Sequence, residues 1–259
     1  MIILLSPSKG QDFDPNPISE HSQPQLLSQA AELARGLKKL KPAQIASLMS
    51  VSESLAELNY QRFQDFSTPF ELGRAKQAAL AFKGDVYGGL DADTLDDADW
   101  HFAQQHLRIL SGLYGYLRPL DLILPYRLEM KTRLNNSRGE NLYQYWDHQI
   151  TDLINQDLQG DDDYVVNLAS NEYFKSVKKK AINQRIITLH FKDTKAGKTR
   201  VIGFFAKQAR GMMARALIKE KVNAADDIKE LVVNGYRYDE SLSKTNDWVF
   251  ERQQPPAKT

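Results

Sequence analysis

The sequence contains no cysteine among its 259 residues. This excludes disulfides, thiolate-bound zinc, iron–sulfur clusters and a cysteine nucleophile. Long apolar runs are also absent. The amino terminus has four apolar residues between Met1 and Ser6, too few for a signal peptide, and no stretch approaches the roughly 18 apolar residues of a membrane span. We therefore expect a cytoplasmic protein without a membrane partner.

The usual signatures of metal and cofactor sites are missing too. None of the five histidines forms a His-x-x-x-His pair, and no nucleophile elbow, dinucleotide fingerprint or Walker loop occurs. We expect neither a metal nor a cofactor. One acidic run has two interpretations, a carboxylate metal site or a solvated helix start, and the second is favoured. Its members are Asp91, Asp93, Asp96, Asp97 and Asp99.

Positive charge is concentrated in one segment. Of the 34 basic and 33 acidic residues, 14 basic and two acidic residues lie between Lys175 and Lys221. The segment therefore carries +12, and the rest of the chain carries −11. It either forms a surface for a polyanion or pairs with acids elsewhere in the fold. The candidate DNA contacts within it are Lys178, Lys179, Lys180, Lys207 and Arg210.

Hydrophobic spacing predicts a mixed α/β (α+β) fold. Helices are predicted over residues 26–40, 42–48, 52–63, 69 to about 84, 100–110, 142–158, 171–179 and 206–221. Strands are predicted over residues 2–5, 164–168, 186–191, 199–205 and 248–250, with an extended segment over 119–130. No repeat or linker divides the chain. The prediction is therefore one domain over residues 1–252 and a disordered tail over 253–259.

A short motif lies between the second and third predicted helices. Ser50, Val51 and Ser52 occupy the Gly-Ile-Gly place of a helix-hairpin-helix motif, whose backbone amides bind a DNA phosphate. Both glycines of the motif are serines here, and Ser50 with Glu53 also has the spacing of a capping box. The DNA-binding interpretation and the capping interpretation both remain open. Basic residues before the motif would add charge, namely Lys38, Lys39 and Lys41.

Seven segments match one known family in order along the chain. They are residues 5–9 (LSPSK), 84–87 (GDVY), 107–115 (LRILSGLYG), 117–121 (LRPLD), 125–130 (PYRLEM), 167–174 (NLASNEYF) and 206–211 (AKQARG). Together they resemble the YaaA family of peroxide stress proteins. The resemblance implies a family-specific single-domain fold with a positively charged cleft and a helix-hairpin-helix element. It also implies sequence-nonspecific binding of duplex DNA, and of branched or unpaired DNA as further candidates.

The resemblance further implies a response to hydrogen peroxide, a link to DNA repair and a limit on free intracellular iron. We expect a monomer. Besides Lys207 and Arg210, the resemblance carries over cleft candidates, which are Lys9, Tyr126, Arg127, Glu129, Asn167, Ser170, Glu172 and Tyr173. Glu129 and Glu172 either orient the cations or act in catalysis. A DNA-binding protein is favoured over an enzyme acting on a nucleotide or nucleic acid, and both over an iron-handling protein.

Overall fold

The computed structural model describes residues 1–160 and 162–255. The helices, α1 to α10, are Leu27–Lys38, Pro42–Met49, Glu53–Gln64, Ala78–Ala81, Asp85–Leu90, Asp97–His106, Leu142–Trp146, Gln149–Asp157, Asn171–Phe174 and Gly203–Lys219. The strands, β1 to β12, are Ile2–Leu5, Gly10–Gln11, Lys76–Gln77, Phe82–Lys83, Leu107–Ser111, Gly115–Leu117, Leu122–Ile123, Tyr164–Asn167, Arg185–Lys195, Lys198–Arg200, Arg237–Asp239 and Asp247–Gln253. Three 3-10 segments, Ala92–Thr94, Lys179–Ala181 and Ala225–Glu230, complete the regular structure of these residues.

Eight of the strands within the described ranges form one mostly parallel sheet. Its order is β11-β12-β9-β8-β1-β5-β6, with β10 paired to β9. Strands β12, β9, β8, β1 and β5 run parallel, and β6, β10 and β11 pair antiparallel with their neighbours. All four residues of β1 are buried, as parallel strands covered on both faces require. The predicted mixed α/β class is confirmed.

The buried apolar residues form one continuous core, which agrees with a single domain. Helix α10 packs on α5 and α6 and against β9 and β1. Strand β12 extends to Gln253, one residue past the predicted domain end. Residues 256–259 of the predicted disordered tail lie outside the described residues. Among the residues described, no helix has the length and apolarity needed to cross a bilayer.

Three predicted elements are wrong. Residues 69–84 form only the single turn α4 between β3 and β4, because those two strands pair with β7 and β2. The predicted helix 100–110 ends at His106, and the next five residues form the buried strand β5. The predicted strand 199–205 ends at Arg200, and Phe204 and Phe205 lie in α10. In each case pairing or packing overrides the local preference of alanine-rich, apolar or aromatic segments.

Two predicted helices are shorter than expected. The helix over 142–158 is divided into α7 and α8 at Asp147, whose φ is 36°. The helix over 171–179 is the single turn α9 followed by a 3-10 segment. The remaining predicted helices, 26–40, 42–48, 52–63 and 206–221, are present with ends displaced by up to three residues.

Candidate functional site

A cavity of about 430 Å³ opens at the carboxyl-terminal edge of the central sheet. One wall forms where β1 and β8 end. The amide of Ser170 donates a 2.8 Å hydrogen bond to Oγ of Ser6, and the amide of Leu168 donates one of 3.0 Å to the carbonyl of Leu4. The chain passes from β1 to β5 on one side and returns to β8 on the other. Open parallel sheets bind ligands at such a switch point.

Charged side chains of both signs line the cavity. The cations are Lys9, Arg127, Lys131, Lys207 and Arg210, and the anions are Asp85, Glu129 and Glu172. The carboxylate of Glu129 lies 2.9 Å from Nζ of Lys9 and 3.6 Å from Nζ of Lys131. It also lies 3.7 Å from a guanidinium nitrogen of Arg127. Glu129 therefore connects three of the five cations.

The environment of Glu129 keeps its carboxylate ionised. Its side chain is 14% exposed, and this burial opposes ionisation. The hydrogen bond from Lys9, together with the charges of Lys9, Lys131 and Arg127, outweighs burial and holds the pKa of Glu129 below its usual range. Glu129 is thus an anion at neutral pH whose oxygens are shared among cations.

The opposite wall comes from α5 and α10. Asp85 and Val86 reach the cavity from α5, and Lys207 and Arg210 reach it from α10. Neither Lys207 nor Arg210 forms a salt bridge with any residue in the two described ranges. Burial lowers the pKa of the Arg210 guanidinium. Arg210 is therefore a partly buried cation that lacks a counter-charge in this part of the molecule.

Tyr126 and Tyr173 supply phenol groups to the same cavity. The Tyr126 hydroxyl lies 2.6 Å from Oγ of Ser111. Burial raises the pKa of both tyrosines, and for Tyr173 the neighbouring Tyr126 and Glu172 raise the pKa further. Both side chains are consequently neutral at physiological pH and act as hydrogen-bonding or stacking groups.

The cavity contains nine of the ten residues carried over as cleft candidates. They are Lys9, Tyr126, Arg127, Glu129, Ser170, Glu172, Tyr173, Lys207 and Arg210. The tenth, Asn167, is buried behind the cavity at the end of β8. Its Oδ1 accepts a 3.0 Å hydrogen bond from the amide of Ala169, so its side chain shapes the turn that presents Ser170.

The predicted phosphate-binding corner lies between α2 and α3, outside the lining of the cavity. Ser50 ends α2 with φ 52° and ψ 55°, the left-handed conformation that favours glycine. Ser52 is the N-cap of α3, and its Oγ accepts a hydrogen bond from the amide of Leu55 at 3.4 Å. The capping box predicted between Ser50 and Glu53 is therefore wrong, because the cap begins two residues later.

The other predicted DNA contacts are distributed over the surface. Lys38 ends α1, and Lys39 and Lys41 lie in the connection to α2, where both are exposed. Lys178 forms a 3.0 Å ion pair with Asp147. Nζ of Lys179 lies 4.7 Å above the ring of Phe174, and Lys180 is exposed. None of these lysines lines the cavity.

Sequence reasoning missed two charged residues of the cavity, Asp85 and Lys131. Asp85 belongs to a matched segment, 84–87, and Lys131 directly follows the segment 125–130. Their positions within or next to a matched segment were the sequence signal that could have identified them. Residues 1–160 and 162–255 contain no group of three or more His, Asp or Glu side chains that is arranged to hold a metal ion. Asp99 of the acidic run instead pairs with Lys219 at 2.6 Å and with Lys221 at 3.2 Å.

Comparison with known proteins establishes the family. The family model described as peroxide stress protein YaaA matches residues 1–242. A UPF0246 protein of Colwellia psychrerythraea is 53% identical over 256 residues, covering 98% of this chain and all of that protein. A UPF0246 protein of Shewanella oneidensis is 51% identical over 256 residues, covering 98% of this chain and 99% of that one.

This chain is thus a mixed α/β protein with a charged cavity at the edge of a parallel sheet. It belongs to the peroxide stress protein YaaA family, so the resemblance seen in the sequence is confirmed. The family name supports a role in peroxide stress. The name UPF0246 describes no activity.

Proposed function

We propose that this chain is a sequence-nonspecific DNA-binding protein of the peroxide stress response. The observation that carries the proposal is the pair Lys207 and Arg210, two cations without a salt bridge in the described residues, one of them partly buried. Keeping an unpaired cation away from water costs free energy. A phosphate group in the cavity would supply the missing negative charge.

The wider charge distribution supports a ligand with several phosphates. Four of the 14 basic residues between Lys175 and Lys221 pair with carboxylates, and they are Lys178, Arg215, Lys219 and Lys221. The other ten form no salt bridge within the described chain. Pairing with acids elsewhere in the fold therefore accounts for a minority of the basic residues in the segment. The phosphate backbone of a nucleic acid is attracted to such a surface regardless of base sequence.

A salt series on the pure protein tests the proposal. Fluorescence anisotropy with a labelled 20-base-pair duplex between 50 and 200 mM salt should show log K falling linearly with log salt. About five phosphate contacts would give a slope of about −4.5. Lys207→Ala and Arg210→Ala should each reduce the magnitude of the slope by about one. Lys219→Ala removes a cation that is already paired with Asp99 and should leave the slope unchanged. A flat response, or no binding at 50 mM, contradicts the proposal.

An enzyme acting on a nucleotide or nucleic acid is the second candidate, because Glu129 and Glu172 lie in the same cavity as the cations. A general acid or base works best with a pKa near the operating pH. The pKa of Glu129 is shifted the other way, below its usual range. Glu129 therefore suits the orientation of Lys9, Lys131 and Arg127 better than proton transfer, and the binding function is favoured.

The proposal extends to cells, where DNA protection, DNA repair and lower free iron are the roles that the resemblance implies. Cells lacking the chain should be sensitive to peroxide and rescued by the wild type. Double substitution of Lys207 and Arg210 by alanine should abolish rescue and leave the level of folded protein unchanged. Free iron measured in the same cells would show whether the level of free iron changes when DNA binding is lost. Full rescue by the double variant would contradict the role of these cations.

A further inference from the structure

An exposed aromatic side chain lies beside the cavity. Phe204, in the first turn of α10, is 57% exposed, although phenylalanine is among the residue types most often buried. Residues three apart are neighbours on a helix surface. Phe204, Lys207 and Arg210 therefore form one row, which leads from an exposed ring to two cations that line the cavity.

A basic hairpin adjoins this row. Strands β9 and β10 form an antiparallel hairpin in which Lys195 lies directly opposite Lys198. Like charges in that position destabilise a hairpin unless an anion is bound. Arg200 ends β10 three residues before α10 begins at Gly203. None of the three cations forms a salt bridge in residues 1–160 or 162–255.

The sequence around the ring has one sign of charge. No acidic residue occurs between Asp193 and Glu220, and seven basic residues do. Along the chain, Phe204 therefore follows the three hairpin cations, which form no salt bridge in the described residues, and precedes Lys207 and Arg210. An exposed ring between phosphate-binding cations is the arrangement by which proteins hold single-stranded nucleic acid, with bases stacked on the ring.

We propose that Phe204 stacks on an unpaired nucleobase while the hairpin and the cavity cations hold the phosphates on either side of that base. This inference rests on the proposed DNA binding and adds to it the side chain that would contact an unpaired base. A nucleic acid fits better than an anionic membrane surface because Lys207 and Arg210 lie in a concave site, which a flat bilayer would not enter.

The test uses two labelled duplexes of the same sequence, one fully paired and one with a single unpaired adenine. The wild type should bind the second duplex more tightly. Phe204→Ala should weaken binding to the second duplex about tenfold, as expected for loss of one stacked base, and leave binding to the first unchanged. Phe204→Trp should retain the preference. Val201→Ala, which trims an exposed aliphatic side chain nearby, is the matched control and should change neither affinity.

The outcomes separate the two proposals. If the wild type binds both duplexes with a steep salt dependence and Phe204→Ala does not alter the preference for the unpaired adenine, the stacking inference is contradicted and the DNA-binding proposal is retained. If the wild type binds neither duplex, both proposals are contradicted. If Phe204→Ala instead loses binding to phosphatidylglycerol vesicles while its affinity for both duplexes is unchanged, the ring serves a membrane and the stacking inference is overturned.

Discussion

Nζ of Lys9 lies 2.9 Å from a carboxylate oxygen of Glu129, and this pair connects the loop after β1 to the segment that follows β7. Lys9 is mostly exposed and Glu129 mostly buried. The ammonium therefore has access to a ligand while the carboxylate holds it at the mouth of the cavity. The charge of Glu129 opposes any phosphate that enters.

The variant Glu129→Gln should raise DNA affinity several-fold at low salt. It preserves side-chain volume, removes one negative charge and releases Lys9, Lys131 and Arg127 to phosphates. Anisotropy titration at 50 mM salt measures the change. Glu172→Gln is the matched control and should have a smaller effect, because Glu172 lies 3.9 Å from Nζ of Lys131 and contacts no other cation in the described residues.

Rescue of peroxide-treated cells by the same variants separates binding from catalysis. A binding protein predicts that Glu129→Gln rescues as well as the wild type. DNA affinity at least equal to that of the wild type, combined with failed rescue, would contradict the binding function. It would identify Glu129 as a catalytic candidate, since loss of a general acid or base typically costs about 100-fold or more in rate.

The chain's local patterns predicted the buried strands β1 and β8, where a run of apolar residues ends at a polar loop. They did not predict β5, because Leu107, Ile109 and Leu110 continue the apolar spacing of α6, and only pairing with β1 makes them a strand. The cavity follows the same rule. Most cavity residues in matched segments were found, but Asp85 and Lys131 were missed. The role of Lys131 depends on the positions of Glu129 and Glu172 in space.

Ser52→Asp tests the corner between α2 and α3. Aspartate is as good an N-cap as serine, so α3 should remain intact, while the added charge should repel a phosphate held by the corner amides. If the corner contacts DNA, affinity should fall about tenfold or more on every sequence. Ser28→Asp, an exposed serine near the start of α1, adds the same charge elsewhere and is the control. Equal affinity of both variants would leave Ser52 with its capping role alone.

Asp99 should make stability depend on pH in acid. Its side chain is 1% exposed, and burial raises its pKa, but hydrogen bonds from Lys219 and Lys221 outweigh burial and lower the pKa from 3.8 to about 2. A carboxyl whose pKa is lower in the folded state stabilises the fold above its unfolded pKa. That stabilisation is lost as pH falls from about 4 towards 2.

Asp99→Asn should therefore lower the free energy of unfolding by about 2 kcal/mol at pH 7. It should also make the free energy of unfolding fall less steeply between pH 4 and 2. Urea unfolding at several pH values measures both effects. Asn retains the acceptor that Asp99 offers to the amide of Asp96. Asp97→Asn, at an exposed position without a salt bridge in the described chain, is the control and should change little. If Asp99→Asn and the wild type lost stability equally between pH 4 and 2, Asp99 would not be the cause of the acid dependence.

Gly211→Ala should test the contact between α5 and α10 on which one cavity wall depends. A Cβ at Gly211 would lie 1.8 Å from the carbonyl oxygen of Val86, a backbone atom that cannot move without displacing α5. Overpacking of this kind costs about 1–3 kcal/mol or more. Gly36→Ala is the matched control, because Gly36 lies in α1 with no atom within 4 Å of a new Cβ.

Helix propensity alone predicts that both substitutions stabilise the protein by about 0.5–1 kcal/mol. The close approach predicts opposite signs: Gly36→Ala should raise the urea midpoint, and Gly211→Ala should lower it. Because Val86 and Arg210 line the cavity from the two helices, the folded fraction of Gly211→Ala should also bind DNA more weakly. If both variants were stabilised, α5 and α10 would have to be farther apart than described, and the position of Arg210 in the cavity wall would have to be revised.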